Sequence, residues 1–320
     1  MDPRNAVAIT TSTVATFDQN DGRLVTIDAE GRPRWTYGRS GNGPGEIARP
    51  NSSRIIGLIG AQWIAAEGAR ILVFDGRTFF LFTEDGALLR RWSADSLTAV
   101  RGGVTRRLRL SGERAYLDLQ HLAPRPHATT DTSTQRWFEV YESDSSSARL
   151  VAALALPALP VSQAGGVADG LAEAKPQWDM QQRCLVLSDG HSSRLVFVDA
   201  DGGARDTVDI GLPEWFVDVA TANEQTQGLT PSGSTMPEPI ARARIADLTL
   251  AADGTLWLRP SAQSARGATG QIVWRYDLHT GVLTQDTVVA FPRYADQAGG
   301  VFGVTSDSSG YTVLRRVRVP

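Results

Sequence analysis

The sequence predicts an all-β chain: one six-bladed β-propeller of four-stranded antiparallel blades spanning 1–320, with its long loops on one face. Three observations predict it. Helical periodicity is scarce. Short runs rich in Val, Ile, Leu, Trp and Tyr are separated by Asp-Gly or Glu-Gly turns, the signature of hairpins. A coarse unit then recurs along the chain: an inner strand, a second strand, a third strand ending in an acidic turn, and an outer strand.

The fourth blade is the clearest, with Gln177–Met180, Cys184–Ser188, Leu195–Asp199, the turn Asp201-Gly202-Gly203 and Thr207–Ile210. The fifth reads Ile245–Leu250, Leu256–Arg259, Ile272–Tyr276 and Thr287–Phe291. In the second, Arg54–Leu58 is the expected inner strand and Gln62–Ala66 the second. Ile71–Asp75 with Thr78–Phe82 forms the third, and Leu88–Trp92 the outer strand. Val7–Gly38 fits a first blade and Thr105–Leu156 a third. Val301–Val319 is too short for four strands, so Val7–Thr10 is expected to complete that blade by pairing with Val313–Val319 or its neighbour.

Composition narrows the function. Hydrophobic residues at 42 % supply a substantial core, and charged residues at 21 % are too few for wholesale disorder. A net charge of −3 gives no electrostatic footprint for nucleic acid. No apolar run is long enough to span a membrane, so a soluble monomer is expected. Lys175 is the sole lysine and the only residue on which a Schiff-base mechanism could rest. Cys184 is the sole cysteine, which excludes an intramolecular disulfide and a cysteine-cluster metal site. Its alternating strand context reads as a buried structural thiol.

A resemblance adds to this reading. Gly41-Asn42-Gly43-Pro44-Gly45-Glu46, followed by Arg49-Pro50, is similar to the G-x-GPGEF-x-x-P signature between blades of NHL-like six-bladed propellers, with Ile47 in place of Phe. Leu187–Asp199 resembles that family's passage from second to third strand. The ending, with Gly303-Val304, Asp307 and Val317-Arg318-Val319, resembles bacterial exported six-bladed propellers. The resemblance implies the fold and an extracytoplasmic location, and says little about activity.

Strand polarity turns the repeat into a statement about function. Inner strands run down the channel and second strands run back up. Loops after the outer strand and between the second and third strands therefore share the upper face. That face receives the long segments Gly38–Ser53, Ser93–Val104, Ala123–Gln135, Pro157–Pro176, Leu212–Arg244 and Pro260–Gly270, while the lower face receives short turns. The binding face is expected on top. Within the longest segment, Trp215, Phe216 and Val219 fall on one side of a short helix, either as a lid over the channel or as an ordinary surface loop.

The upper strand ends place Arg54, Arg106, Arg244 and Arg259 around the channel mouth. With Trp215 they are the expected ligand-binding residues, suited to a small molecule or peptide carrying carboxylate, phosphate or carbonyl groups. The competing reading has each arginine pairing with an acid and bracing adjacent blades. A second class of function is a propeller enzyme, a metal-assisted hydrolase or lyase in the same mouth. Its catalytic candidates are His121, His191 and Asp179. The NHL resemblance brings in histidine-bound zinc. Calcium-dependent propeller hydrolases place Asp, Asn and Glu in the channel, which makes Asp179, Asp247 and Glu67 the candidate metal ligands. No G-x-S-x-G elbow, Walker loop or dinucleotide fingerprint occurs.

Overall fold

In the computed structural model the described residues are 6–10, 12–18, 23–38, 64–75, 78–94, 97, 103–104, 107–121, 136–156, 176–190, 192–201, 203–212, 245–260, 271–296, 299–306, 308–309 and 312–317. They form six small antiparallel sheets in a ring, a six-bladed β-propeller with almost no helix. Among these residues no helix is long and apolar enough to cross a membrane.

Blade 1 consists of β1 (Ala6–Ile9), β2 (Val14–Asp18), β3 (Arg23–Ile27) and β4 (Pro33–Tyr37). Blade 2 holds β5 (Ile64–Glu67), β6 (Arg70–Phe74), β7 (Thr78–Thr83) and β8 (Leu88–Ser93). Blade 3 begins with β9 (Gly103–Val104) and continues with β10 (Leu108–Ser111), β11 (Arg114–His121), β12 (Arg136–Ser143) and β13 (Ala148–Leu156). Blade 4 is β14 (Gln177–Gln181), β15 (Cys184–Ser188), β16 (Arg194–Asp199) and β17 (Ala204–Asp209). Blade 5 is β18 (Ile245–Leu250), β19 (Thr255–Pro260), β20 (Gln271–Asp277) and β21 (Leu283–Val288). Blade 6 has three strands among the described residues, β22 (Pro292–Ala295), β23 (Val301–Ser306) and β24 (Thr312–Arg316). In every blade the strands pair in chain order; β9 adds a short pairing to β11.

The innermost strands β1, β5, β10, β14, β18 and β22 each lie against the next, and β22 returns to β1. This closes the ring. The N-terminal strand therefore closes it as the inner strand of blade 1, paired with β2, and not by completing the last blade. The sixth blade takes its inner strand from Pro292–Ala295 instead.

Burial follows radius. The third strand of blade 2, with Phe79, Phe80, Leu81 and Phe82, is buried on both faces because neighbouring blades cover it, and so its sequence is continuously apolar. The outer strand β4 is exposed or half-buried throughout. Blade-to-blade contact is aromatic where blades 1 and 2 meet: Trp35 lies 5.9 Å from Phe82, and its indole N–H donates to the Glu84 carbonyl at 2.7 Å. Gly86, with φ of 93°, sits directly beneath that indole. The acidic turns are built by carboxylates that accept main-chain N–H groups. Asp144 accepts those of Ser146 and Ser147 at 2.7 and 2.9 Å, and hydrogen bonding, first from the Ser146 side chain, holds its carboxyl below the usual range.

Three strand assignments differ from the sequence expectation. Ile71–Asp75 and Thr78–Phe82 are two strands, not one, because Asp75 caps a turn between them and accepts the Thr78 N–H at 2.7 Å. Ile64–Glu67 consequently becomes the inner strand of blade 2; residues 54–58 lie outside the described residues. The outer strand of blade 5 ends at Val288, which releases Pro292–Ala295 to blade 6. Cys184 opens β15 and is half-buried, where a buried thiol was expected.

Candidate functional site

Among the described residues, three buried charged groups, Arg107, Asp179 and Asp247, lie on or beside the inner strands, toward the axis of the ring. Alternation along the inner strands puts them there. In Arg107-Leu108-Arg109-Leu110 the two leucines are buried in the core between blades, which leaves Arg107 and Arg109 on the face toward the axis. On β18 the same alternation separates Asp247 from the core residues Leu248 and Leu250.

Arg107 is buried, and its guanidinium ties three blades together. Nη2 donates to Asp247 Oδ1 at 2.6 Å, and Nη1 donates to the carbonyls of Leu248, at 2.8 Å, and Trp178. Its main-chain N–H donates to Asp118 at 2.7 Å. Burial pushes this guanidinium down, but Asp247 and then Asp179 outweigh that and hold it above its usual value. One step along the axis, Arg109 pairs with Asp179. The two Asp179 oxygens also accept the N–H groups of Met180, at 2.8 Å, and Leu250, at 2.9 Å. This second ion pair again joins blades 3, 4 and 5. Such buried pairs fix geometry, and breaking one is costly.

The remaining oxygen of Asp247 faces two further cations. Arg259 Nη2 and Arg293 Nε each lie 3.6 Å from Oδ2. Three guanidiniums thus share one carboxylate. Arg107 holds it by a short hydrogen bond; the other two stand at ion-pair distance. The Arg259 Nε is buried and has no hydrogen-bond partner among the described residues. Its guanidinium carbon lies 5.7 Å from the Phe291 ring centre. Burial lowers the pKa of Arg259, with Asp247 opposing and Arg293 adding to the depression. An arginine stays charged regardless.

Toward the lower ends of the inner strands the axis opens into a cavity of about 360 Å³, to which all six blades contribute. Its polar lining includes Thr10, Glu67, Arg109, Asp179, Arg293 and Asp296.

The structure brings together only part of the set expected from sequence. Arg259 stands at the upper end of β19, as expected, with Asp247 across from it. Asp179 is on the axis, one inner strand away. Glu67 ends an inner strand and so lies toward the lower face, not at the upper end of a second strand; there it accepts the N–H of Gly112 from the next blade. Among the described residues no three His, Cys, Asp or Glu side chains gather as a metal-ligand group. Asp179 and Asp247 are each already held by guanidinium, which a dication would have to displace. His121 ends β11, paired with Gly103. His191, Arg54, Arg106, Arg244 and Trp215 lie outside the described residues. The residues the sequence reading missed are Arg107, Arg109 and Arg293. The first two were signalled by their alternation with Leu108 and Leu110. Arg293 was hidden by the misplaced boundary between the last two blades.

No protein-family model matches the sequence, and no curated protein matches it. Solved structures do. A member of the DUF4221 family from Bacteroides vulgatus is similar at 9 % identity and a TM-score of 0.51, over 99 % of this chain and 92 % of that one. An exported protein from Bacteroides fragilis is similar at 9 % identity and a TM-score of 0.48, over 98 % and 90 %. A streptogramin B lyase is similar at 10 % identity and a TM-score of 0.40, over 99 % and 93 %. The likeness is one of fold, and it places this chain among propellers of varied function.

Proposed function

We propose that this propeller is a binding protein of the NHL-like kind, taking an anionic small molecule or peptide end at the upper mouth of its channel. One observation carries the reading: three guanidiniums share the single carboxylate of Asp247, and Arg259 keeps a buried Nε–H with no acceptor among the described residues. Buried donors are nearly always satisfied, so an orphan at the mouth of a channel calls for a ligand acceptor. A carboxylate lying side-on to Arg259 would accept from Nε and Nη together, the bidentate geometry that makes arginine–carboxylate pairs strong. Phe291, beside that guanidinium, would contact the apolar part of the ligand.

Arg106, Arg244 and Trp215 belong to the same proposal through their places in the blade repeat; Arg54 loses that support, because Ile64–Glu67 is the inner strand of blade 2. The enzyme alternative draws less support. Of its candidates, Asp179 spends both oxygens within the protein, on Arg109, Met180 and Leu250. Titration calorimetry with benzoate tests the binding reading. Alanine at Arg106 or Arg244, or methionine at Arg259, should cost about 1.5–3 kcal/mol of affinity if a charged hydrogen bond is lost. Equal affinity in all three variants would refute it.

A further inference from the structure

The lower cavity is a separate feature. Its volume of about 360 Å³ falls within the range of pockets that hold small organic ligands. Its walls are substantially apolar, from Ile9, Ile64, Leu110 and Leu250. Its charges are arranged by depth. Arg109 and Asp179 neutralise each other. At the lower ends of the inner strands stand two carboxylates, Glu67 and Asp296. Each is anchored through one oxygen by a main-chain N–H, Glu67 by Gly112 and Asp296 by Gly300 at 2.6 Å. The other oxygen of each takes no protein hydrogen bond among the described residues. Further up the axis the cavity reaches Arg293, whose Nε is held only at 3.6 Å by an aspartate shared with two other arginines. Arg293 precedes Asp296 by three residues, and β22 rises about 3.3 Å per residue, so positive and negative positions are about 10 Å apart along the axis.

We infer that this lower cavity is a second binding site, for an aliphatic zwitterion the size of a dipeptide. The free ammonium lies between Glu67 and Asp296 at the opening, the aliphatic side chains lie on the apolar walls, and the terminal carboxylate meets Arg293. An extended chain spans at most about 3.3–3.6 Å per residue, so a dipeptide covers about 7 Å of that separation, and the reach of the carboxylate and guanidinium side chains covers the rest. Ammonium and carboxylate ends both make charge-assisted hydrogen bonds, which supply orientation as well as affinity. The site shares Arg293 with the anion site proposed at the upper mouth, and its test leaves that residue unaltered.

The experiment is titration calorimetry of the intact chain with Leu-Leu, N-acetyl-Leu-Leu and Leu-Leu amide. Leu-Leu is expected to bind one to one. Acetylation, amidation, or the double change Glu67→Gln with Asp296→Asn should each weaken binding at least tenfold, while Arg259→Met leaves it unchanged. Both amide variants keep the oxygen that Gly112 or Gly300 needs; if the double variant does not fold, the single variants decide, each with a loss of at least threefold. Absence of Leu-Leu binding overturns the proposal, as do capped peptides that bind equally well or acidic-residue variants that bind as the parent does. Loss of Leu-Leu binding on Arg259→Met alone also overturns it and assigns the peptide to the upper mouth.

Discussion

Replacing Arg107 with methionine tests how the axis holds the ring together. The substitution keeps most of the side-chain volume and removes the guanidinium. Two buried carbonyls, of Leu248 and Trp178, then lose a donor, and Asp247 loses its one short contact. Arg259 and Arg293, each 3.6 Å away, offset part of that loss. Breaking one partner of a buried ion pair typically costs about 3–5 kcal/mol. An unfolding entropy of roughly 2 cal/mol/K per residue gives about 0.7 kcal/mol/K for this chain, so the melting temperature should fall by about 4–7 °C. Scanning calorimetry of parent and variant at one scan rate is the assay. A loss below about 1 kcal/mol would mean that the three blades joined by Arg107 do not depend on it, and that the axis is not a brace.

Three further outcomes follow from the same structure. Gly86→Ala should destabilise by about 2–4 kcal/mol, because the residue needs φ of 93° and a Cβ would lie 2.8 Å from the Trp35 ring; an urea midpoint unchanged from the parent would contradict this. Burial, and next the Glu142 carboxylate, push the Tyr116 phenol up to about 12 from its ordinary 10. The folded state therefore holds that proton more tightly than the unfolded chain, and the contribution is whole below pH 10 and lost as pH rises through 12. Urea melts at pH 9 and 11 should show a decline that Tyr116→Phe reduces, and an equal decline in both proteins would refute the assignment. Arg149→Ala should lower stability modestly, since the guanidinium joins Glu142 of blade 3 to the Ala200 carbonyl of blade 4, each at 2.8 Å; its exposed setting makes a loss of about 1 kcal/mol the expectation, and thermal melts indistinguishable from the parent would remove it from the interface.

Blade 4 was legible in the sequence because every strand ends in a local signal: Gln181-Gln182 at the first reversal, Asp189-Gly190 at the second and the Asp201 turn at the third. Blade 2 was misread although Asp75-Gly76 carries a turn signal of its own. The apolar residues on either side, Ile71–Phe74 and Phe79–Phe82, are buried, so no polar alternation marks where one strand stops. The closing of the ring was misread for a different reason. Blade neighbours are set by packing between strands far apart in sequence, and β1 meeting β22 leaves no trace in either segment. The same holds for the site. The axial positions of Asp179, Asp247 and Arg259 came from strand polarity. Which arginine meets which acid did not, because Arg107 and Asp247 are 140 residues apart. Arg107 carries these contacts, and its neighbour Arg106, the residue that strand polarity points to, lies outside the described residues.

The central claim is that Arg259 is held for a ligand and not for the fold. Its buried Nε lacks an acceptor among the described residues, so on the proposed reading its removal relieves an unmet desolvation cost while removing a binding contact. The decisive measurement pairs a thermal melt with a benzoate titration for Arg259→Met against the parent. The expected result is a melting temperature equal to or above the parent's, together with affinity weakened by about 1.5–3 kcal/mol, or roughly tenfold to a hundredfold. A variant that melts several degrees lower and binds benzoate as the parent does would make Arg259 a brace between blades and contradict the claim.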